Sequence, residues 1–303
     1  MQVLVTGGSG AIGAFVAEAL GEAGHDVTVF DRVAPDADDV SFVEGSVADA
    51  AAVEAGVEGA DAVVPLAALL PDAGAADPRR AVAVNVGGTL NAFEAALATE
   101  TRVVYASSKA VLGPIVGRHG HPTYEPIGED APRSPTGVYG VTKAAVERLA
   151  ATYRNRGLDA VGLRFASTYG PGKGAAHGEL AMLPEAVRRA ARGDPVRIDG
   201  ADQRNDLVYY GDVARGVVRA LEAADPAFGI YHVGSGEAVS VRRFAEALEA
   251  LTDATVEVTG GLDYRDADEP TYARLDVSRA RADLGYEPAY PVERGVADFL
   301  DRC

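Results

Sequence analysis

Two short motifs hold the side chains best suited to moving protons. The segment YGVTK sets Tyr139 and Lys143 four residues apart, so that on a helix both project from one face. A free phenol titrates at about 10, too high for a base at neutral pH, and a neighbouring ammonium favours phenolate and lowers that value. Tyr139 then becomes a proton acceptor, with Lys143 able to reach a ribose hydroxyl as well. Ser107 and Ser108 close the apolar run RVVYASS. A hydroxyl at the carboxyl end of a parallel strand can polarise an oxygen while charge develops on it. A Tyr and a Lys at this spacing occur on many helices. The pair gains meaning from what precedes it in the chain.

What precedes it is a glycine turn. VLVT runs into TGGSGAIG, with Gly7, Gly10 and Gly13 between a strand and the helix that Ala11 and Ile12 open. Such glycines allow a tight turn, close approach of backbone to a pyrophosphate, and packing of helix on strand. The phosphates then face unpaired N–H groups at the helix N-terminus. Asp31, in VFDR, ends the next strand eighteen residues past Gly13. A carboxylate there accepts hydrogen bonds from ribose hydroxyls and repels a 2′-phosphate, which favours NAD over NADP. Arg32 beside it is a guanidinium able to hold a phosphate, so both cofactors stay open on these two residues alone.

The elements that must position these groups are legible as an alternation. Strands are predicted from Val3, Asp26, Ser41, Asp61, Arg102 and Asp159, with helices starting near Ile12, Ala48, Pro78 and Tyr139. Short apolar strands separated by helices predict a parallel sheet covered on both faces. Past Ser167 glycine and proline cluster in YGPGKGAAHG, and shorter elements follow: a helix from Leu180, strands in GDPVRI, LVYY, FGIYHVG and TVEV, and helices after Tyr210, Ser240, Ser278 and Val292. The fold class expected is α/β, a Rossmann-type doubly wound parallel sheet. Residues 1–166 form the nucleotide-binding domain and residues 206–233 return to it. The remainder of 167–303 makes a smaller, discontinuous substrate domain.

Composition narrows the partners. The 303 residues carry 28 bases and 45 acids, a net charge of −17, and only Lys109, Lys143 and Lys173 among the bases are lysines. That surface is wrong for nucleic acid or an anionic membrane. The one cysteine, Cys303, excludes an internal disulfide framework and a Cys-based metal site. His119 and His121 flank a glycine but lack a partner at metal-ligand spacing, so no metal is expected. The longest apolar run, residues 62–70, is too short for a membrane span, and no signal-peptide layout is present. A cytoplasmic location is the expectation.

TGGSGAIG, YASSKAVLG, YGVTK, LRFASTYGPG and YHVGSGE, in that order, resemble the extended short-chain dehydrogenase/reductase family across essentially the whole chain. Within it they are most similar in texture to the NAD-dependent nucleotide-sugar epimerases of the UDP-glucose 4-epimerase type. The resemblance implies NAD as cofactor and Ser108, Tyr139 and Lys143 as catalytic residues, with Ser107 lining the site. Around the cofactor it implies Ser46 and Val47 of GSVAD, Leu66, Ala67 and Ala68 of PLAAL, Asn85 of NVGGT, and Ala166 of LRFAS. Towards the substrate it implies Ser167, and Arg204 and Arg265 as guanidinium grips on a sugar nucleotide's diphosphate. It also implies a homodimer formed through residues 78–97 and 139–153. Several positions depart from the family pattern: Ser46 replaces an acid, Ser167 an Asn and Asn205 an Arg, and Ala181 falls where an Asn is common. These departures leave the substrate open.

Three activities compete. An epimerase would use Tyr139 to take a sugar hydroxyl proton while NAD holds the hydride, then return the hydride to the other face. A sugar or uronate dehydrogenase would use the same residues and release NADH. A non-catalytic NAD-binding regulator has no need of the Ser, Tyr and Lys set. Dehydratases of the family place an acidic pair just after the catalytic hydroxyl, where this chain has Lys109 and Ala110.

Overall fold

The structure is a computed structural model describing residues 1–37, 40–172, 182–262 and 274–303. The first half alternates as its hydrophobic pattern requires. The elements in order are β1 (Gln2–Thr6), α1 (Ala11–Glu22), β2 (Asp26–Asp31), β3 (Ser41–Glu44), α2 (Ala50–Val57) and β4 (Ala62–Pro65). After two short helical turns, α3 (Pro71–Ala76) and α4 (Pro78–Ala81), the helix widens to π geometry over Val82–Gly88 and continues as α5 (Thr89–Thr99). Then come β5 (Arg102–Ser108), α6 (Val138–Arg154) and β6 (Ala160–Phe165).

The second half contains β7 (Ser167–Tyr169), α7 (Met182–Ala191), β8 (Val196–Ile198), β9 (Arg204–Asn205), β10 (Leu207–Tyr209) and α8 (Tyr210–Glu222). It ends with β11 (Ile230–Val233), β12 (Val239–Ser240), α9 (Val241–Leu251), β13 (Val256–Val258), α10 (Ser278–Leu284) and α11 (Val292–Asp301).

Seven parallel strands form one sheet in the order β11-β6-β5-β4-β1-β2-β3. The strand order reverses between β1 and β4, and the crevice beyond their carboxyl ends is where such sheets bind ligands. Side chains alternate across the sheet. Val3, Val5, Val29 and Val104 face α1 and α8, with Phe15, Leu20, Val213 and Val217. Leu4, Phe30, Val103 and Tyr105 face α2, α5 and α6, with Val53, Phe93, Val146 and Tyr153. Each large apolar side chain buried this way contributes about 1.5–3 kcal/mol.

The stretch Pro78–Thr99 has the length and hydropathy of a membrane span. It packs Ala92, Phe93, Ala95 and Ala96 into the sheet-facing core instead. In the second half β7 pairs with β10, β8 with β13, and β9 with β12. An aromatic seam joins this part to α1: Phe15 meets Tyr209 and Tyr210 edge-on at 5.6 Å, and Tyr169 and Tyr290 pack on Tyr209.

Candidate active site

A cleft of about 1130 Å³ opens at the strand-order reversal. At one end lies the glycine turn. Gly7 has φ +74°, and a Cβ there would stand 2.6 Å from the Ala67 backbone nitrogen, so the turn after β1 and the loop after β4 touch only because no side chain intervenes. A Cβ on Gly13 would stand 2.1 Å from the Gly7 carbonyl oxygen, which lets α1 start directly against the turn. The first turn of α1 carries no acidic side chain, leaving its N–H groups to an anion. Gly7, Gly10, Ala11, Ile12 and Gly13 all line the cleft.

Asp31, at the end of β2, accepts the Ser9 and Arg32 backbone N–H groups at 3.2 and 2.7 Å, which fixes its carboxylate at the cleft wall. Arg32, Ser46 and Val47 continue that wall, and Leu66, Ala67 and Ala68 form the opposite one. Asp49 turns its carboxylate to the Ala51 and Ala52 N–H groups and caps α2. Glycine cradle, unshielded helix terminus, ribose-reaching acid and cleft volume together fit an extended dinucleotide.

At the far end, Ser108 closes β5 and Tyr139 stands on the first turn of α6; both line the cleft, with Ala166 and Ser167 beside them. The Tyr139 phenol lies beside the Ser108 side chain, whose Oγ accepts the Ala110 N–H at 3.2 Å. Lys143 is 4% exposed and donates to the Ala106 carbonyl at 3.0 Å. Burial pushes the Tyr139 phenol up to about 12, only partly offset by Ser108, and pulls the Lys143 ammonium down to about 8. The expected lowering of the phenol by its neighbour therefore does not operate in the protein alone. Desolvation dominates, and the ammonium is committed to a backbone carbonyl.

Three sequence assignments move. Ser107 does not line the cleft: adjacent strand residues point to opposite faces, and its hydroxyl donates to Glu147 Oε1 at 2.6 Å beneath the sheet end. Asn85 lies behind the wall at 1% exposure, exchanging two hydrogen bonds with Leu69 and donating to Thr142 Oγ1 at 3.1 Å. It braces the loop after β4 against α6. Arg204 is exposed and donates to the Ala238 carbonyl at 3.0 Å, because the β9–β12 pairing turns it away from the cleft. Arg265 lies outside the described residues, as do Lys173 and Ala181. His119 and His121 set their Nδ1 atoms against the Glu125 carbonyl and the Tyr124 hydroxyl in their own loop.

The sequence reading missed two groups. Thr136, Lys109, Thr168 and Tyr210 also line the cleft. They sit in loops or at element ends, where periodicity is silent. The second group is a cluster in which Glu147, Arg164 and Ser107 are buried and the exposed Arg133 reaches in to Glu147. A charged residue inside the apolar strand DAVGLRFAS was its available signal.

Fold and site together define a dinucleotide-dependent α/β protein carrying a Ser, Tyr and Lys set at the carboxyl edge of its sheet. The model of the NAD dependent epimerase/dehydratase family matches residues 3–234. A UDP-glucose 4-epimerase of Mycolicibacterium smegmatis is 32% identical, over 99% of this chain and 98% of that protein. The UDP-glucose 4-epimerase of Thermus thermophilus, solved with NAD, superposes with a TM-score of 0.82 at 30% identity, covering 99% of this chain and 98% of that one. A partial-consensus L-threonine 3-dehydrogenase superposes with a TM-score of 0.85 at 25% identity, covering 100% of this chain and 99% of that one. The chain belongs to the NAD dependent epimerase/dehydratase family. It is an NAD-dependent enzyme of extended short-chain dehydrogenase/reductase type, with both epimerases and dehydratases among its relatives.

Proposed function

We propose that the chain is a nucleotide-sugar 4-epimerase, interconverting UDP-glucose and UDP-galactose or a closely related pair. The observation that carries this reading is that Ser108 and Tyr139 stand at one end of a continuous cleft whose other end is the glycine turn and Asp31. NAD, when bound, supplies a hydride acceptor for the sugar carbon and a source for its return.

The chain's own residues handle the proton. Tyr139, acting as phenolate once the positive charge of bound NAD adds to that of Lys143, takes it from the sugar hydroxyl as the carbon–oxygen bond becomes a carbonyl, and gives it back when the alcohol reforms. Ser108 donates a hydrogen bond to that oxygen, where charge develops. Lys143, still largely protonated at neutral pH with a value of about 8, supplies positive charge on the same helix face. Leu66, Ala67 and Ala68 wall the cleft with apolar surface beside the glycine turn. In this reading the active form is a homodimer built on residues 78–97 and 139–153, where Val82 and Val141 are exposed.

A second reading, a dehydrogenase that releases NADH, is favoured by one observation. Arg204 donates to the Ala238 carbonyl and does not line the cleft, so among the described residues the expected diphosphate grip is incomplete. Incubation with UDP-galactose, and separately with free aldoses and uronates, separates the two. Epimerisation gives a mixture of the two sugar nucleotides with no accumulation of NADH. Stoichiometric NADH with an oxidised free sugar would overturn the epimerase reading.

A further inference from the structure

We propose that Glu147 is a positioning residue, which pins the carboxyl end of β5 to α6 through Ser107 and so holds Ser108 and the Ala106 carbonyl in place for Tyr139 and Lys143. The inference rests on the reading of those three residues given above and asks what keeps them in register.

Tyr139, Lys143 and Glu147 follow one another at four-residue steps, each rotating by about 40° along one face of α6. Opposite them, three consecutive β5 residues each meet one of the three. The Ala106 carbonyl takes Lys143 Nζ, the Ser107 hydroxyl donates to Glu147, and the Ser108 side chain lies beside the Tyr139 phenol. The Ser107 contact is therefore flanked on both sides by the contacts that reach the site. A loosened Ser107 would release both neighbours.

Glu147 is built to hold. Its Oε1 accepts from Ser107 Oγ and from Arg164 Nε, both at 2.6 Å, and its Oε2 accepts from Arg164 Nη2 at 2.8 Å and from Arg133 Nε. Those four donors use the acceptor capacity of a carboxylate. They hold it below the usual carboxylate range against the opposing effect of burial, so Glu147 stays charged. Ser107, Arg164 and His232 are register partners on β5, β6 and β11. Arg164 donates to the Glu129 carbonyl at 2.9 Å and lies 3.4 Å from His232 Nε2, while His232 Nδ1 lies 3.2 Å from the Asp276 carbonyl. Burial and Arg164 hold His232 down at about 3, so the ring is neutral.

This polar row runs directly under the sheet end that carries Ser108. Further down the same face of β5, Val103 and Tyr105 belong to an apolar core. A buried ion pair is a poor way to gain stability where apolar packing would serve. Its location only beneath the site points to orientation.

The test compares Ser107→Ala, Ser107→Thr and Glu147→Gln with the parent, all loaded with NAD and carrying [13Cζ]tyrosine. Tyr139→Phe identifies the Tyr139 resonance. Ser107→Ala is expected to shift that resonance and raise its titration midpoint by about half a pH unit or more. It should lower kcat on UDP-galactose about tenfold with KM nearly unchanged. Ser107→Thr, which keeps the hydroxyl, should restore both. If Glu147→Gln does not fold, Ser107→Ala decides alone. The proposal is overturned if Ser107→Ala leaves the Tyr139 resonance, its titration and kcat as in the parent. Full turnover by Tyr139→Phe would overturn the reading of the site, and the positioning proposal with it.

Discussion

Lys143 stands one turn along α6 from Tyr139, yet its ammonium lies 3.0 Å from the Ala106 carbonyl and 5.7 Å from the centre of the phenol ring. Its charge is thus buried against a single backbone oxygen. Burial lowers its value from 10.5 to about 8. Between those values the unfolded chain keeps the proton and the folded chain releases it, so stability rises as pH climbs from about 8 to 10.5. Below pH 8 the full cost of the buried charge remains, on the order of 3 kcal/mol, against about 1 kcal/mol for the hydrogen bond. Lys143→Met should therefore stabilise the dinucleotide-free protein at pH 7 by about 2 kcal/mol, with the gain fading towards pH 10.5. Urea unfolding at both pH values checks this, and turnover should fall by about a hundredfold or more in the same variant.

Tyr139→Phe removes the proton acceptor and leaves the glycine turn and Asp31 untouched. Turnover should fall at least about tenfold while the calorimetric affinity for NAD stays within about twofold. Normal turnover in this variant would remove Tyr139 from the chemistry.

The glycine turn predicts a loss of binding from a substitution that adds one methyl group. In Gly13→Ala the new Cβ meets the Gly7 carbonyl oxygen at 2.1 Å and the Gly8 Cα at 2.7 Å, backbone on both counts. The helix must move off the turn. Overpacking of this kind costs about 1–3 kcal/mol, and NAD affinity should drop at least about tenfold because the displaced N–H groups are those facing the phosphates. Titration calorimetry reads the affinity, and thermal unfolding reads the packing cost.

How far the sequence foretold the molecule depends on which physical signal each part emits. The alternation of apolar strands and amphipathic helices places β1 to β6 and α1, α5 and α6, because period and burial agree there. The two-residue strands β9 and β12 carry no period, and their pairing is what turns Arg204 outward. Ser107 and Ser108 are chemically identical in the sequence. Only the pleat decides that one reaches Tyr139 and the other Glu147. Asn85 and Glu147 read as ordinary helix residues, and their partners Leu69 and Arg164 come from distant loops and strands.

Asp31 holds its place through two backbone N–H groups and faces the cleft beside Arg32. Its charge would repel a 2′-phosphate, whereas Arg32 would attract one. Asp31→Ser removes the repulsion and leaves the guanidinium. The ratio of NADP to NAD affinity should rise by about tenfold or more at low salt, through weaker NAD binding and stronger NADP binding together. Equal ratios in variant and parent would mean that the acid does not select the cofactor.

Asp206 sets two effects of opposite sign against each other. Its buried carboxyl accepts the Ser235, Gly236 and Leu275 N–H groups at 2.6, 3.2 and 3.0 Å and the Ser235 hydroxyl at 2.8 Å. Those bonds tie β11's exit to the chain that follows residues 263–273. Burial nonetheless raises its value from 3.8 to about 6. From pH 3.8 to 6 the folded state holds a proton the unfolded state has lost, so this group's contribution to stability falls as pH rises through that window. The loss is on the order of 3 kcal/mol. Asp206→Asn removes that cost, but an amide offers one acceptor oxygen and turns an NH2 group towards backbone donors. Two or more buried N–H groups left unpaired at about 1–3 kcal/mol each outweigh the relief. Asp206→Asn should therefore be less stable than the parent at pH 7 by about 1–3 kcal/mol, and its stability should vary less between pH 4 and 6. Denaturant unfolding across that range checks both, and a variant more stable than the parent at pH 7 would show that desolvation of the charge outweighs its four hydrogen bonds.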